Sequence, residues 1–467
     1  MEAPPAQDVQ PERGLGRVAN VRRRLPAPPN IGFRARLRDR IEARELFGLR
    51  RRFRRRRFLA LLAVLGPGLI AALAGNDAGG ITTYSVMGAE TGFRLLWLFP
   101  LTMITLAVVQ EMSARLGVVT GQGLSGLIRD RYGVRWVAFA MLVLFAANMA
   151  NTVANFAGIA AGLTLFGLPT LLTVPIAAAV IWGLVLFASY RSLERVFLLI
   201  SVVFLAYIVS ALLARPDWGA VAQGLTTPRF DASGGELLLM VAVVGTTIAP
   251  FMQFYLQSAV AEKGIDEEEL RLEQVDAVGG ALLTNVIALF IVIATATTLF
   301  AAGASIQTAG DAAEALGPIA GNLSRTLFGL GLFGASALAA TIIPISTAFV
   351  ICEAFGWEAG VGQRFRDAPA FFSIYTFVLF AGALVVLFLS EGSLIGVILA
   401  SQNLQGLLLP FVLVFMLLLV NNRKLLGRHV NGLRRNVLAI ACIGLVIALD
   451  LALLGVNLLG LVGIDLG

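Results

Sequence analysis

The residues that could do chemistry lie in an apolar run, in the stretch GPGLIAALAGNDAGG. Its single acid, Asp77, is flanked by Gly75, Gly79 and Gly80. A charge at bilayer depth costs about 2.5–3.5 kcal/mol or more, so such a residue usually faces a cavity or a partner. The glycines favour unwound backbone, whose carbonyl groups then need protein, water or a ligand as partners. A carboxylate beside free carbonyl oxygens suits a hard cation, although Asp77 could also simply cap a broken helix.

The elements that would position this acid are membrane helices. Hydrophobic residues make up 58% of the 467-residue chain and charged residues 14%, and the mean hydropathy is +0.83. This composition predicts a polytopic membrane protein. Counted against the roughly 20 residues that a spanning helix needs, the apolar runs predict eleven spans: Phe58–Met87, Leu95–Leu116, Val137–Leu165, Leu171–Ala188, Val196–Leu213, Glu236–Ala261, Ala277–Ala302, Leu327–Phe355, Ala370–Leu389, Leu394–Leu419 and Val437–Val462.

Two of these spans are interrupted, the first at Asp77 and the sixth near Pro250. They are five spans apart, so equivalent positions run through the membrane in opposite directions. This is typical of an inverted repeat whose broken helices meet at the midplane. We therefore predict an all-α membrane protein with a five-plus-five inverted repeat and broken helices 1 and 6. Residues 58–213 form the first repeat, 214–420 the second, and 421–467 a basic loop with a peripheral eleventh helix.

The N-terminal segment, residues 1–57, carries seventeen arginines between Arg13 and Arg57. Such a run could bind nucleic acid. Beside a first span, it is more simply a positive-inside determinant that anionic lipid headgroups attract. We expect a disordered cytoplasmic segment and no nucleic-acid partner. The other loops rich in Lys and Arg fall on the same side of the membrane, which places the C-terminus outside.

Cysteine and histidine offer little metal chemistry in this chain. Cys352 and Cys442 lie in apolar runs, and the single histidine, His429, lies in a basic loop. We interpret the cysteines as small core residues and expect neither a thiolate centre nor a bound cofactor. The glycine-rich GQGLSG after the second span lacks the Lys-Ser/Thr ending of a phosphate loop, so we expect no ATPase. The sequence also offers no catalytic constellation, so we do not expect an enzyme.

Five stretches resemble the Nramp family of divalent-metal transporters. GPGLIAALAGNDAGG is similar to the family's first helix with its DPGN motif, VGTTIAPFMQFYLQSAV to the sixth with its MPH motif, and ASQNLQGLLLPFVL to the tenth, which supplies a metal-contacting glutamine. LLWLFPLTMITLAVVQEMSARLGVVTGQGL and YRSLERVF resemble the second helix and the linker from the fourth to the fifth. The likeness runs from about Leu65 to at least Leu419. It implies a LeuT-type fold and transport of a divalent cation by alternating access; we expect a monomer in a bacterial-type inner membrane.

The resemblance implies a metal site at Asp77, Gly80, Asn155, Ala249 and Gln402, although only the acid and the glutamine keep the family's residues. Gly80 replaces a ligating asparagine and Ala249 a methionine. A thioether is a soft ligand that favours transition metals, whereas oxygens suit a hard cation such as Mg²⁺, which tends to keep its waters. Asn155 could contact such a water shell without adding charge. The pattern is similar to the Nramp-related magnesium transporters, a branch that carries Mg²⁺ and also Mn²⁺.

The residues of the family's proton route are also replaced. Thr152 and Asn155 stand for its third-helix acids, and Phe251 and Gln257 for its sixth-helix histidines. A relay needs titratable groups, so we expect uncoupled movement down the electrochemical gradient. The alternative is a proton-coupled Mn²⁺ or Fe²⁺ importer. The single acidic ligand disfavours transport of trivalent aluminium. A sensor role is disfavoured because we see no large soluble output domain in the sequence.

Further polar or small residues could line the ion's route: Ala74, Gly75, Glu111, Thr152, Thr246, Gln253 and Gln257. Glu111 has a simpler interpretation, since Arg115 lies one helical turn further and could form a salt bridge with it. Asn148 and Asn151 could equally be hydrogen-bond partners between helices.

Overall fold

The structure is a computed structural model that describes residues 75–187, 205–231, 233–264, 267–314, 324–360 and 365–461. Within these residues the regular secondary structure is entirely helical, as the sequence predicts. The basic N-terminal segment, the first part of the first span including Ala74, and the YRSLERVF linker lie outside the described residues.

The described part of the chain contains sixteen α-helices, numbered in chain order. They are α1 Ala78–Thr91, α2 Leu98–Thr120, α3 Leu124–Tyr132, α4 Val134–Thr164, α5 Thr170–Phe187, α6 Leu205–Leu213, α7 Trp218–Thr226, α8 Gly234–Thr247, α9 Pro250–Lys263, α10 Leu270–Thr295, α11 Ala309–Glu314, α12 Ser324–Phe355, α13 Pro369–Leu387, α14 Leu394–Val420, α15 Arg423–Leu426 and α16 Leu433–Leu461. A π-helical turn, Ala296–Phe300, extends α10.

Most of the predicted spans are present as helices. Eight apolar segments of the described chain are long enough to cross a membrane: Leu98–Thr120, Val134–Thr164, Gly234–Ala261, Leu270–Phe300, Phe328–Phe355, Pro369–Leu387, Leu394–Val420 and Leu433–Val456. A shorter apolar helix, Thr170–Leu186, corresponds to the predicted fourth span. The predicted first and fifth spans are described only in part, by α1 and α6, so the count of eleven stays a prediction.

The predicted interruptions coincide with helix boundaries. α1 begins directly after Asp77, whose side chain caps it by accepting a hydrogen bond from the Gly80 amide. In the sixth span, Ile248 and Ala249 leave the helical conformation, with ψ angles of 51° and 137°, and separate α8 from α9. Pro250 then opens α9, where its missing N–H is no loss because the first turn of a helix has no acceptor for it. The break in the sixth span is therefore confirmed.

Glycines allow the helices around these breaks to approach closely. A side chain at Gly158 on α4 would overlap Ala78 of α1 and Ser336 of α12. A side chain at Gly245 on α8 would overlap the backbone of α14 at Gln402 and Gly406. Small residues at helix contacts are the usual means by which membrane helices gain packing without a hydrophobic driving force. These contacts fix α1 and α8 against the rest of the bundle.

The last part of α2 and the turn before α10 both contact the basic loop before α16. Arg115 on α2 donates to the His429 carbonyl oxygen over 2.7 Å and to Asn431 Oδ1 over 2.6 Å. Arg428 donates to Glu267 Oε2 over 2.7 Å, and this bond, helped by one with His429, holds the pKa of the Glu267 carboxyl below its ordinary value. At another loop, Arg94 forms ion pairs with Asp231 and Glu236, which joins the α1–α2 turn to the start of α8.

The close contact of α8 with α14 gives a stability prediction. We expect Gly245→Ala to lower the free energy of unfolding by about 1–3 kcal/mol, because the added methyl group must displace α14 backbone that is already in contact. Gly279→Ala on α10 is the matched control, since a methyl group there meets open space. Thermal unfolding of the two purified variants in detergent checks this. Equal midpoints for both would contradict the packing described.

Candidate metal-binding site

Asp77 and Asn155 meet directly at the start of α1. The Asn155 Nδ2 donates to Asp77 Oδ2 over 2.8 Å, and the Gly80 amide donates to Asp77 Oδ1 over 3.0 Å. The Asn155 Oδ1 in turn accepts from the Ala78 amide at 3.3 Å. Asp77 is only 3% exposed, and each of these donors is neutral. Within the described residues, the carboxylate therefore has satisfied hydrogen bonds but no compensating positive charge.

A chain of buried amide side chains continues from this pair toward α14. The Asn155 Nδ2 also lies 3.2 Å from Asn151 Oδ1, which accepts from Gln402 Nε2 at 3.4 Å. The Gln405 Nε2 donates to Gln402 Oε1 over 2.8 Å, and Asn151 Nδ2 lies 3.4 Å from Gln405 Oε1. The spacing explains the cluster, because residues three or four apart lie on one helix face. The structure thus brings three predicted site residues, Asp77, Asn155 and Gln402, into one network.

The glycines of the first break make room for this network. A side chain at Gly79 would overlap the Gln402 amide, so the glutamine reaches the break only because position 79 has no Cβ. A Cβ at Gly80 would lie 2.6 Å from the Gly75 carbonyl oxygen. Gly75 and Gly80 are therefore in contact through backbone, and Gly80 contributes its N–H to Asp77 rather than a side chain.

The second break is tied to α1 by a hydroxyl pair. The Tyr84 hydroxyl lies 2.9 Å from Thr247 Oγ1, which donates to the Val243 carbonyl at 2.6 Å. The neighbouring Thr246 is buried, and its Oγ1 has no hydrogen-bond partner. Ala249 is buried at the break itself and presents only a methyl group. Thr246 and Thr247 therefore offer oxygens, and residue 249 offers no sulfur.

Gln253 and Gln257, the two glutamines predicted to line the route, both lie on α9 and are fully buried. The Gln253 amide, oriented with its nitrogen toward the break, donates to the Ala249 carbonyl over 2.6 Å and to the Pro250 carbonyl over 2.9 Å. The Gln257 Nε2 donates to the Gln122 carbonyl over 3.1 Å. Gln253 therefore lies at the break, whereas Gln257 contacts the turn before α3.

Two other candidates have structural contacts away from Asp77. The Thr152 hydroxyl donates to the Asn148 carbonyl one turn earlier, and its methyl group lies where Gly382 of α13 leaves space. Glu111 forms the salt bridge with Arg115 that the sequence offered as the simpler interpretation, with 3.1 Å between Oε2 and Nη2. It also accepts from Gln274 Nε2 at 2.7 Å.

Asn76 is a residue that the sequence analysis missed. Its Nδ2 lies 3.4 Å from the Thr284 carbonyl of α10, while its Oδ1 is buried and has no hydrogen-bond partner. An unsatisfied buried acceptor costs about 1–3 kcal/mol, and a cation or one of its waters would remove that cost. The available signal was its position, since Asn76 is a polar residue directly before Asp77 in an apolar run.

The donor set of the site is consequently neutral apart from one acid. No three His, Cys, Asp or Glu side chains converge anywhere in the described ranges. A cation here would meet the Asp77 carboxylate together with amide, hydroxyl and carbonyl oxygens. Such ligands suit a hard divalent ion that keeps part of its hydration shell.

The chain was compared with known proteins. It matches the family profile "Natural resistance-associated macrophage protein-like" (Nramp) over residues 68–455. The divalent metal cation transporter MntH of Deinococcus radiodurans is 30% identical over 412 residues, 84% of this chain and 89% of the relative. MntH of Bacillus subtilis is 27% identical over 416 residues, 85% of this chain and 93% of the relative.

Solved structures with low sequence identity share the fold. A mutant of the manganese transporter from Eremococcus coleocola aligns with a TM-score of 0.69 and 22% identity, covering 87% of this chain and 89% of that one. MhsT, solved with L-phenylalanine, aligns with a TM-score of 0.53 and 15% identity over 83% and 97% of the two chains. These matches support the predicted LeuT-type architecture and a multi-pass membrane protein. The chain belongs to the Nramp family, which consists of metal transporters rather than enzymes.

Proposed function

We propose that this chain moves a divalent cation across the membrane by alternating access, with Asp77 as the central ligand. The observation that carries the proposal is a buried carboxylate at the start of α1 whose partners in the described chain are all neutral. A bound cation would supply the missing positive charge. The names of the relatives, divalent metal cation transporters, support the same cargo.

We further propose Mg²⁺ as the preferred ion, with Mn²⁺ also carried. The relatives' names mention manganese or divalent metals, so this preference rests on the ligands of this chain alone. Ala249 supplies no soft donor, and Gly80 supplies no side-chain ligand, so fewer protein ligands compete with water for the ion. Asp77, Asn155, Gln402 and the free Asn76 oxygen are hard donors. Magnesium binds through one or two carboxylates and retains several waters, which fits this set.

Transport is proposed to be independent of protons. The side chains that adjoin Asp77 on α4 and α14 are amides, which do not titrate at physiological pH. The inside-negative membrane potential would then drive entry, at about 2.3 kcal/mol per charge per 100 mV. The excess of Lys and Arg in the N-terminal segment supports a cytoplasmic N-terminus.

The second candidate is a proton-coupled manganese importer. It is favoured by the manganese transporter of Eremococcus coleocola, which shares the fold. Asp77 itself could carry a proton when no metal is bound. Only a flux measurement separates the two candidates.

That measurement is uptake into proteoliposomes with a set potential and a pH dye inside. We expect Mg²⁺ to enter without acidification, because the side chains that adjoin Asp77 on α4 and α14 are amides, which do not titrate. Empty liposomes with valinomycin are the control for leak. Manganese entry with acidification and no Mg²⁺ flux would overturn both the ion preference and the uncoupled mechanism.

The role of the acid gives a second prediction. We expect Asp77→Asn to reduce uptake about tenfold or more, since losing 1.4 kcal/mol of ion binding already changes affinity tenfold. Asp130→Asn is the matched control, because that acid is exposed on α3 and pairs only with its neighbour Arg129 among the ion pairs described. Normal uptake by a well-folded Asp77→Asn transporter would show that the ion binds elsewhere.

The missing thioether gives a third prediction. We expect Ala249→Met to raise the uptake of Mn²⁺ and Cd²⁺ relative to Mg²⁺ several-fold, because it adds a soft ligand at the break. Ala261→Met adds the same side chain near the end of α9, where it should leave selectivity unchanged. If the two variants behave alike in competition assays, residue 249 does not face the ion.

A further inference from the structure

The carboxylate of Glu353, near the end of α12, collects donors from two other elements. Its Oε1 accepts from the Gly123 amide at 2.6 Å, and its Oε2 accepts from Ser125 Oγ at 2.9 Å and from Ser258 Oγ at 3.1 Å. Gly123 and Ser125 lie at the start of α3, whereas Ser258 lies on α9. These four residues, the Glu353 cluster, join three parts of the chain that are far apart in sequence.

Two of the three parts are held together independently of α9. Arg129 on α3 donates to the Glu353 and Ala354 carbonyl oxygens over 3.2 and 3.1 Å, which satisfies acceptors at the end of α12. A side chain at Gly123 would overlap the Glu353 carboxylate, and a Cβ at Gly126 would lie 3.3 Å from its Oε1. The glycines of GQGLSG thus leave room for the Glu353 carboxylate. Because these contacts and the Arg129 hydrogen bonds join α3 to α12, the two helices form one continuous surface.

Two consecutive residues of α9 form hydrogen bonds with this surface and with the turn beside it. Ser258 donates to Glu353, and Gln257 donates to the Gln122 carbonyl in the turn before α3. The opposite end of α9 lies at the break, where two residues separate it from the end of α8. A helix segment bounded by such a break can change direction without losing its own hydrogen bonds, as hinge segments do.

The position of α9 decides whether one side of the site is open. Gln253 and Gln257, one turn apart on α9, are both fully buried, so water does not reach the break along this face in the structure. Alternating access requires that each side of the site opens in turn. Opening along α9 would separate Ser258 and Gln257 from the surface of α3 and α12.

We propose that Glu353 is a positioning residue that holds α9 against α3 and α12 and thereby keeps this side of the metal site closed. It acts through Ser258 and does not contact the ion. Loss of its hydrogen bonds shifts the population toward conformers in which the α9 face of the break is exposed to water.

Cysteine accessibility tests this without any transported ion. Gln253→Cys is introduced as a reporter after both native cysteines are replaced by alanine, and maleimide labelling rates are measured in metal-free membranes. We expect Glu353→Ala to speed labelling several-fold. Glu358→Ala, an exposed acid just beyond α12, is the matched control and should leave the rate unchanged. Glu353→Gln keeps an acceptor oxygen and should give a smaller increase than alanine.

A second reporter separates positioning from general loosening. Ala288→Cys is fully buried on α10 and should stay unlabelled in every variant. Faster labelling at both reporters, or an unchanged rate at Gln253→Cys in a folded Glu353→Ala protein, would overturn the proposal. If Glu353→Ala does not fold, the double variant Ser125→Ala/Ser258→Ala removes the two hydroxyl donors and leaves the carboxylate, and an unchanged rate there would overturn it equally. Since no ion is present, the result is independent of which metal is carried.

Discussion

A carboxylate buried in the membrane with only neutral donors is the constraint on which the other features of this structure depend. The Gly80 amide and the Asn155 side chain donate hydrogen bonds to the Asp77 carboxylate. Both donors are neutral, so its negative charge stays uncompensated within the described chain. An ionised group in such surroundings is unfavourable unless a counter-charge arrives. Three features keep this carboxylate in place without neutralising it. They are the start of α1 at Ala78, the glycines that leave room for Gln402, and the facing amide side chains.

The amide network determines which oxygen atoms are available to bind a cation. Asn151 Oδ1 accepts from both Asn155 and Gln402, so its two lone pairs are used. Gln402 Oε1 accepts only from Gln405 among the described contacts, which leaves one lone pair for an ion or its water. The same residues therefore hold one another in orientation and still leave an acceptor site on the Gln402 oxygen. Amides do not change protonation near neutral pH, so the amide side chains add no titrating group of their own to the site.

The architecture was largely predictable because long apolar runs and two polar interruptions leave few alternatives in a membrane. Asp77, Asn155 and Gln402 were also predictable as neighbours, from one acid in an apolar run and from the family resemblance. The contact between Asn151 and Gln405 was not predictable. It depends on how α4 and α14 are rotated about their axes, and the apolar sequences of these helices do not determine that rotation.

Side-chain direction explains the remaining differences. Thr152 lies next to Asn151 in sequence but on another face of α4, where it contacts α13 instead of the break. The role of Gly123 and Ser125 depends on Glu353, which lies more than two hundred residues later, and no local pattern connects them. Long-range pairings of this kind follow from packing rather than from sequence periodicity.

The directions of the two helices at the breaks have an electrostatic consequence. α1 presents its N-terminus at the first break, whereas α8 presents its C-terminus at the second, and the Tyr84–Thr247 bond holds these helices together. A helix carries about half a positive charge at its N-terminus and half a negative charge at its C-terminus. The dipole of α1 therefore favours the ionised carboxylate, and that of α8 adds negative potential beside it. The N-terminus of α9 lies at the same second break and opposes the field of the α8 C-terminus. The Asp77 carboxylate, rather than the backbone, therefore makes this place repel an anion before any ligand distinguishes one metal from another.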